Sequence, residues 1–136
     1  MNNHVVGVMF IEHELVARNH EKAELFLKRI KPLLFTKEYT FAQRDKNIEF
    51  DRLYSLTDEQ KAEIIKSLTP DDCISVEPNN NPRYPNAEVY AFIKGQQLLS
   101  YGEVEYVRLY IKMYLDEKKH NDMVIIISFH PEGMYD

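Results

Sequence analysis

The stretch "VEYVRLYIKMYL", residues 104–115, sets Leu109, Ile111, Met113 and Leu115 on one parity and Tyr106, Arg108, Tyr110, Lys112 and Tyr114 on the other. Successive side chains of a β-strand point to opposite sides, so this pattern demands a sheet with one wholly apolar face. An ordinary solvated face mixes in Glu, Thr, Ser and Asn. Here, from Tyr106 to Tyr114, the second face is built only of phenols and cations.

At 136 residues the chain is the length of one domain and long enough to bury a core unaided. Cys73 is the only cysteine, which rules out an internal disulfide and is best read as packing in a reducing compartment. The longest apolar runs, 5–11 and 123–128, are too short to span a bilayer, so a cytoplasmic protein with no membrane partner is expected. A net charge of −5 argues against broad nonspecific nucleic-acid binding, although acting on one phosphate needs only a local positive cluster. With four glycines and neither a GxGxxG nor a Walker pattern, no nucleotide cofactor is expected. His13, Glu14 and His20 lack the i, i+4 histidine spacing of a metal site, and no metal is expected.

The loop-rich "EPNNNPRYPN" (77–86) divides two unlike halves. Before it, Asn19 can cap a helix that buries Ala23, Phe26, Leu27 and Ile30 and ends near Pro32. Thr57 and Gln60 form a capping box for a second helix, burying Ala62, Ile64, Ile65 and Leu68 before Pro70. After the loop, "AEVYAFIK" (87–94), residues 104–115 and "MVIIISFH" (123–130) are rich in β-branched and aromatic residues and read as strands. The expected architecture is α+β, an antiparallel sheet of three or more strands with helices packed on one face.

Hydrophobic matching predicts a register for the last hairpin: Leu109 with Phe129, Ile111 with Ile127, Met113 with Ile125 and Leu115 with Met123. A one-residue shift would press Ser128 and His130 into the core, at a cost of roughly 1–3 kcal/mol for each unsatisfied group. The predicted register sets Arg108 opposite or diagonal to His130, and Tyr110 near Ser128, on the face away from the core. Arg108, Tyr110, Lys112 and His130 are groups suited to metal-independent RNA cleavage, in which the ribose 2′-hydroxyl attacks the adjacent phosphate. That reaction needs proton transfer, which histidine supplies near neutrality, and stabilisation of a charged phosphorane, which arginine and lysine supply. The plainer reading is a half-exposed strand whose tyrosines reflect β-propensity, with His130 at a fraying strand end.

In order along the chain, "RDKN" (44–47), "SLTDEQKAEIIKSLTPDD" (55–72), "VYAF" (89–92), "LYIKM" (109–113) and "ISFH" (127–130) resemble the MqsR family of bacterial toxins. The resemblance covers residues 23–130 and leaves 1–22 as an N-terminal extension within a single domain. It implies a RelE-like fold, endoribonuclease activity on mRNA as a ribosome-independent mRNA interferase, and a co-encoded antitoxin as partner. Tyr110 and Lys112 match the family's strand tyrosine and lysine, His130 ends the "SFH" strand of longer relatives, and Ser75 stands where a lysine is expected. The alternative is a non-catalytic interaction or regulatory module of the same fold.

Overall fold

The computed structural model describes residues 3–83, 86–117 and 121–133, with residues 3–15 as backbone only. In chain order the elements are α1 (Asn3–Phe35), β1 (Tyr39–Phe41), α2 (Asp45–Tyr54), α3 (Asp58–Lys66), a 3-10 turn (Pro70–Asp72), β2 (Cys73–Pro78), β3 (Glu88–Ser100), β4 (Glu103–Glu117) and β5 (Asp122–Pro131). The strands form one mixed sheet in the order β1-β5-β4-β3-β2. All neighbours are antiparallel except β1, which runs parallel to β5. This corrects the expected all-antiparallel sheet: the long crossover through α2, α3 and the rest of the sheet brings the chain back to β1 in the same direction.

Helix α1 is longer than the sequence predicts. Asn19 lies inside it and caps nothing, because asparagine is only mildly unfavourable in a helix interior. Pro32 is also internal and falls on the exposed side, so its missing N–H costs one solvent-side bond while Leu33 and Leu34 continue to pack. The helix ends in a Schellman-type turn: Lys37 takes a left-handed φ of 62° and the Glu38 N–H donates to Leu33 O at 2.9 Å. Thr57 and Gln60 form both halves of the capping box of α3, as the sequence predicts. Ala23, Phe26, Ile30 and Leu34 of α1, Phe50 of α2 and Ile64 and Ile65 of α3 form one buried cluster with Phe92, Leu109, Ile111 and Met113 of the sheet. All three helices therefore pack on the apolar face read from residues 104–115. Among the described residues no helix is long and apolar enough to cross a membrane.

The β4–β5 register differs from the one predicted. Ile111 pairs with Phe129 and Lys112 with Ser128, but Met113 then pairs with Ile126 and Leu115 with Val124. The discontinuity at Ile127 is a β-bulge, and it reverses the parity of β5. Val124, Ile126 and Phe129 are buried in the core, whereas Met123, Ile125 and Ile127 are half-buried. Simple alternation could bury either the even or the odd residues of β5. The bulge buries the even pair and Phe129 together while leaving Ser128 and His130 on the opposite face.

Asn47, in the first turns of α2, secures this arrangement. Strand β1 ends at Phe41, opposite Ile126, so β5 loses its parallel neighbour at the bulge. The buried Asn47 takes over: Nδ2 donates to Ile127 O and to Ala42 O, both at 2.9 Å, and Oδ1 accepts the Phe129 N–H at 3.0 Å. One side chain thus does the work of the missing strand. Nearby, Lys61 of α3 is buried with its ammonium 4.1 Å from the centre of the Phe41 ring, neutralised by Asp51 at 2.9 Å and Asp58 at 3.3 Å.

Two outcomes are expected. Asn47→Ala strands two backbone groups at the bulge and lowers the free energy of unfolding by about 2–4 kcal/mol in denaturant titrations, with faster hydrogen exchange at the Phe129 amide. Asp51→Ala destabilises by about 1–3 kcal/mol because it weakens the pairing of a buried charge, whereas Lys61→Met, which removes that charge and keeps the volume, is near neutral.

Candidate active site on the open sheet face

The face of β4 and β5 turned away from the helices carries a cleft of about 350 Å³. Its floor is a square of paired residues, Tyr110 opposite His130 and Lys112 opposite Ser128. One wall comes from the start of α2, which contributes Arg44 and Lys46; Ile74, at a second β-bulge in β2, and Ile93 line the other side. Both irregularities in the sheet border this cleft, a common place for bulges because they re-aim side chains.

Three of the four residues singled out from the sequence, Tyr110, Lys112 and His130, line the cleft together. Arg108 lies on the same face one step further along β4, opposite Gly95. Its guanidinium pairs with Glu132 at 3.2 Å, and its carbonyl accepts the Glu132 N–H at 2.7 Å. It therefore orders the end of β5 beside the cleft instead of lining it. Arg44, Lys46 and Ser128 were not among the residues assigned catalytic roles from the sequence. Arg44 Nη1 donates to the buried Ser128 Oγ at 3.1 Å. The signal for the two cations was "RDKN", which carries both and the clamp residue Asn47 in one turn; Ser128 lies in "ISFH".

His130 is only 5% exposed, which corrects the picture of a histidine at a frayed strand end. Its Nδ1 lies 3.0 Å from Pro131 O. A carbonyl oxygen only accepts, so Nδ1 carries the hydrogen and Nε2 is left with a free lone pair. Burial, and after it the nearby Lys46 and Arg44 charges, push the His130 pKa below its ordinary 6.5, opposed by the hydrogen bond to Pro131 O. The ring packs on Tyr110 with centroids 5.7 Å apart. Desolvation and the Glu77 carboxylate raise the Tyr110 pKa, against a smaller lowering by Arg44, so Tyr110 is a neutral phenol and a donor at pH 7.

Arg44, Lys46 and Lys112 thus line the cleft together with Glu132, in a chain whose net charge is −5. Such a site favours an anion and offers it one imidazole acceptor and one phenol donor. The other candidates lie elsewhere. Cys73 is half-buried against the core, and burial raises its pKa. His20 contacts Asp71 at 3.1 Å, while the side chains of His13 and Glu14 lie outside the described residues. No family model, no curated protein and no solved structure matches this chain.

Proposed function

We propose that the cleft binds a ribose–phosphate junction of single-stranded RNA and cleaves it without a metal, making this chain a toxin-type mRNA interferase of the RelE-like, MqsR kind that its motifs resemble. The observation that carries this reading is His130 with Nδ1 committed to a carbonyl and Nε2 free, directly across the strand pair from Tyr110 and beside three cations. His130 Nε2 takes the proton of the 2′-hydroxyl as it attacks phosphorus. The bond to the 5′-oxygen breaks, and the Tyr110 phenol donates a proton to that leaving oxygen. The proton held by His130 then returns to Tyr110 through solvent, which restores both groups. Lys112 and Arg44 stabilise the extra negative charge of the phosphorane, where fixed cations are most effective. Ser75, standing where the family resemblance expects a lysine, leaves that charge to Arg44 and Lys46. Arg108 contributes by holding Glu132 and the end of β5. A cytoplasmic location and neutralisation by a co-encoded antitoxin belong to the same reading.

One observation favours the reading as a non-catalytic interaction module. Leu99, Tyr101, Val104 and Tyr106, at the tip of the β3–β4 hairpin, are each more than 60% exposed, a patch suited to a protein partner. RNA end mapping separates the two readings. Purified protein is expected to cut RNA in EDTA and leave 2′,3′-cyclic phosphate ends, and intact RNA after prolonged incubation would favour the module. His130→Ala is expected to reduce cleavage by about 10²–10⁴-fold, with His130→Gln as a control for the cavity left behind.

The pH dependence has a definite sign. The free-base form of His130 is the active one, and its pKa in the folded protein lies below 6.5. Cleavage should therefore hold through neutrality and fall on acidification, with a midpoint below pH 6.5. That acid limb should be lost from the residual activity of His130→Gln. The same shift makes the fold less stable in acid: the unfolded chain binds the proton more readily, so stability present above pH 6.5 is lost as pH falls through the folded pKa.

A further inference from the structure

The β3–β4 hairpin outruns the strands on either side of it. Strand β2 pairs with β3 as far as Phe92 and β5 pairs with β4 as far as Leu109, so from the Gly95–Arg108 pair to its tip the hairpin continues as a two-stranded ribbon. Its helix side buries Leu98 and Val107, and alternation puts the carboxylates Glu103 and Glu105 on that same side, where Glu105 accepts a hydrogen bond from the Tyr54 hydroxyl at 2.9 Å. The other side continues the open face, with Val104, Tyr106 and Arg108 in line with Tyr110 of the cleft. Tyr106 is paired with Gln97, but its phenol reaches one step toward the cleft: Oη and Cζ fill the space over Gly95 where a β-carbon would stand. The side chain is thus seated on glycine backbone and is still 70% exposed.

We propose that Tyr106 is a stacking platform for a nucleobase of single-stranded RNA outside the cleft, on the path of the strand whose phosphate the cleft holds. Residues 106 and 110 lie on one face of one strand with their α-carbons about 13 Å apart, at ~3.3 Å per residue. That separation is too long for the two nucleotides joined at the cleaved phosphate and suits a base further along. Stacking uses the flat face that every base has, so it requires a supported and accessible ring and no matched pattern of donors and acceptors. The seat on Gly95 supports the ring, and its exposure gives access. RNA is favoured over a protein as the occupant because this side of the ribbon is continuous with the cleft, carries the cation Arg108 and has none of the ribbon's carboxylates. The inference rests on the RNA reading above and adds to it a binding residue remote from the chemistry.

The test is binding of a single-stranded RNA made uncleavable by 2′-methoxy groups, measured for the wild-type protein, Tyr106→Leu and Tyr106→Trp. Tyr106→Leu keeps an apolar side chain without a ring and is expected to weaken binding by about 10-fold, the scale of one lost base stack. Tyr106→Trp is expected to bind as tightly as the wild type, and because the chain has no tryptophan of its own, quenching of the new indole emission by RNA reports the stack directly. A ring that serves only to cover Gly95 would lower the melting temperature of Tyr106→Leu with RNA affinity unchanged, and unquenched indole would leave this surface to a protein partner; either result overturns the proposal. Cleavage of unmodified RNA is scored separately. RNA that quenches the indole and stays uncut removes the cleavage reading and leaves the platform standing, whereas RNA that is cut equally well by Tyr106→Leu under subsaturating conditions removes the platform alone.

Discussion

The arrangement of the open face depends on one buried amide. Asn47 joins the start of α2 to β5 where β1 stops, and it satisfies the Ile127 carbonyl and the Phe129 N–H, which would otherwise be left dry. Through this contact the β-bulge is tolerated, and through the bulge Val124 and Ile126 reach the core on the same side as Phe129. The same clamp anchors the beginning of α2 against β5, so Arg44 and Lys46 stand over Ser128 and His130. Core packing and the site's electrostatics are therefore coupled through a single side chain.

The cleft also shows how an acidic protein brings cationic side chains together on one face. The cations come from two places distant in sequence, Arg44 and Lys46 from the turn before and into α2 and Lys112 from the middle of β4. Short-range charge pairing is also present, as between Lys61 and both Asp51 and Asp58, and between Arg29 and Glu117 at 2.7 Å. The gathering of these cations is thus a property of the fold, and the overall charge of −5 gives no indication of it.

Legibility in the sequence followed the range of the interactions involved. The α3 capping box and the apolar face of β4 depend on neighbours two to four residues apart, and both were readable. Longer-range features were not. The length of α1 escaped because Asn19 and Pro32 look like ends, and Pro32 is harmless only because it faces away from the sheet. Helix α2 and strand β1 are short, and their formation depends on burial of Phe41, Asn47 and Phe50 against β5. Strand β3 runs on to Ser100 through Gly95 and two glutamines because β4 offers an unbroken partner. At Gly95 any β-carbon would collide with the ring of Tyr106, which lies across that backbone.

By itself the sequence determined that this chain makes a sheet with one apolar face, that helices cover that face, and that Tyr110 and Lys112 share the other. Period-two alternation and capping chemistry are local and leave little choice. Tertiary structure decided the parity of β5, the parallel edge strand, the position of Arg108 outside the cleft and the addition of Arg44 and Lys46 to it. Each of these depends on which buried polar groups find partners across the fold. Asn47 meets Ile127 and Phe129 some eighty residues away in sequence, and no local pattern records a contact at that distance.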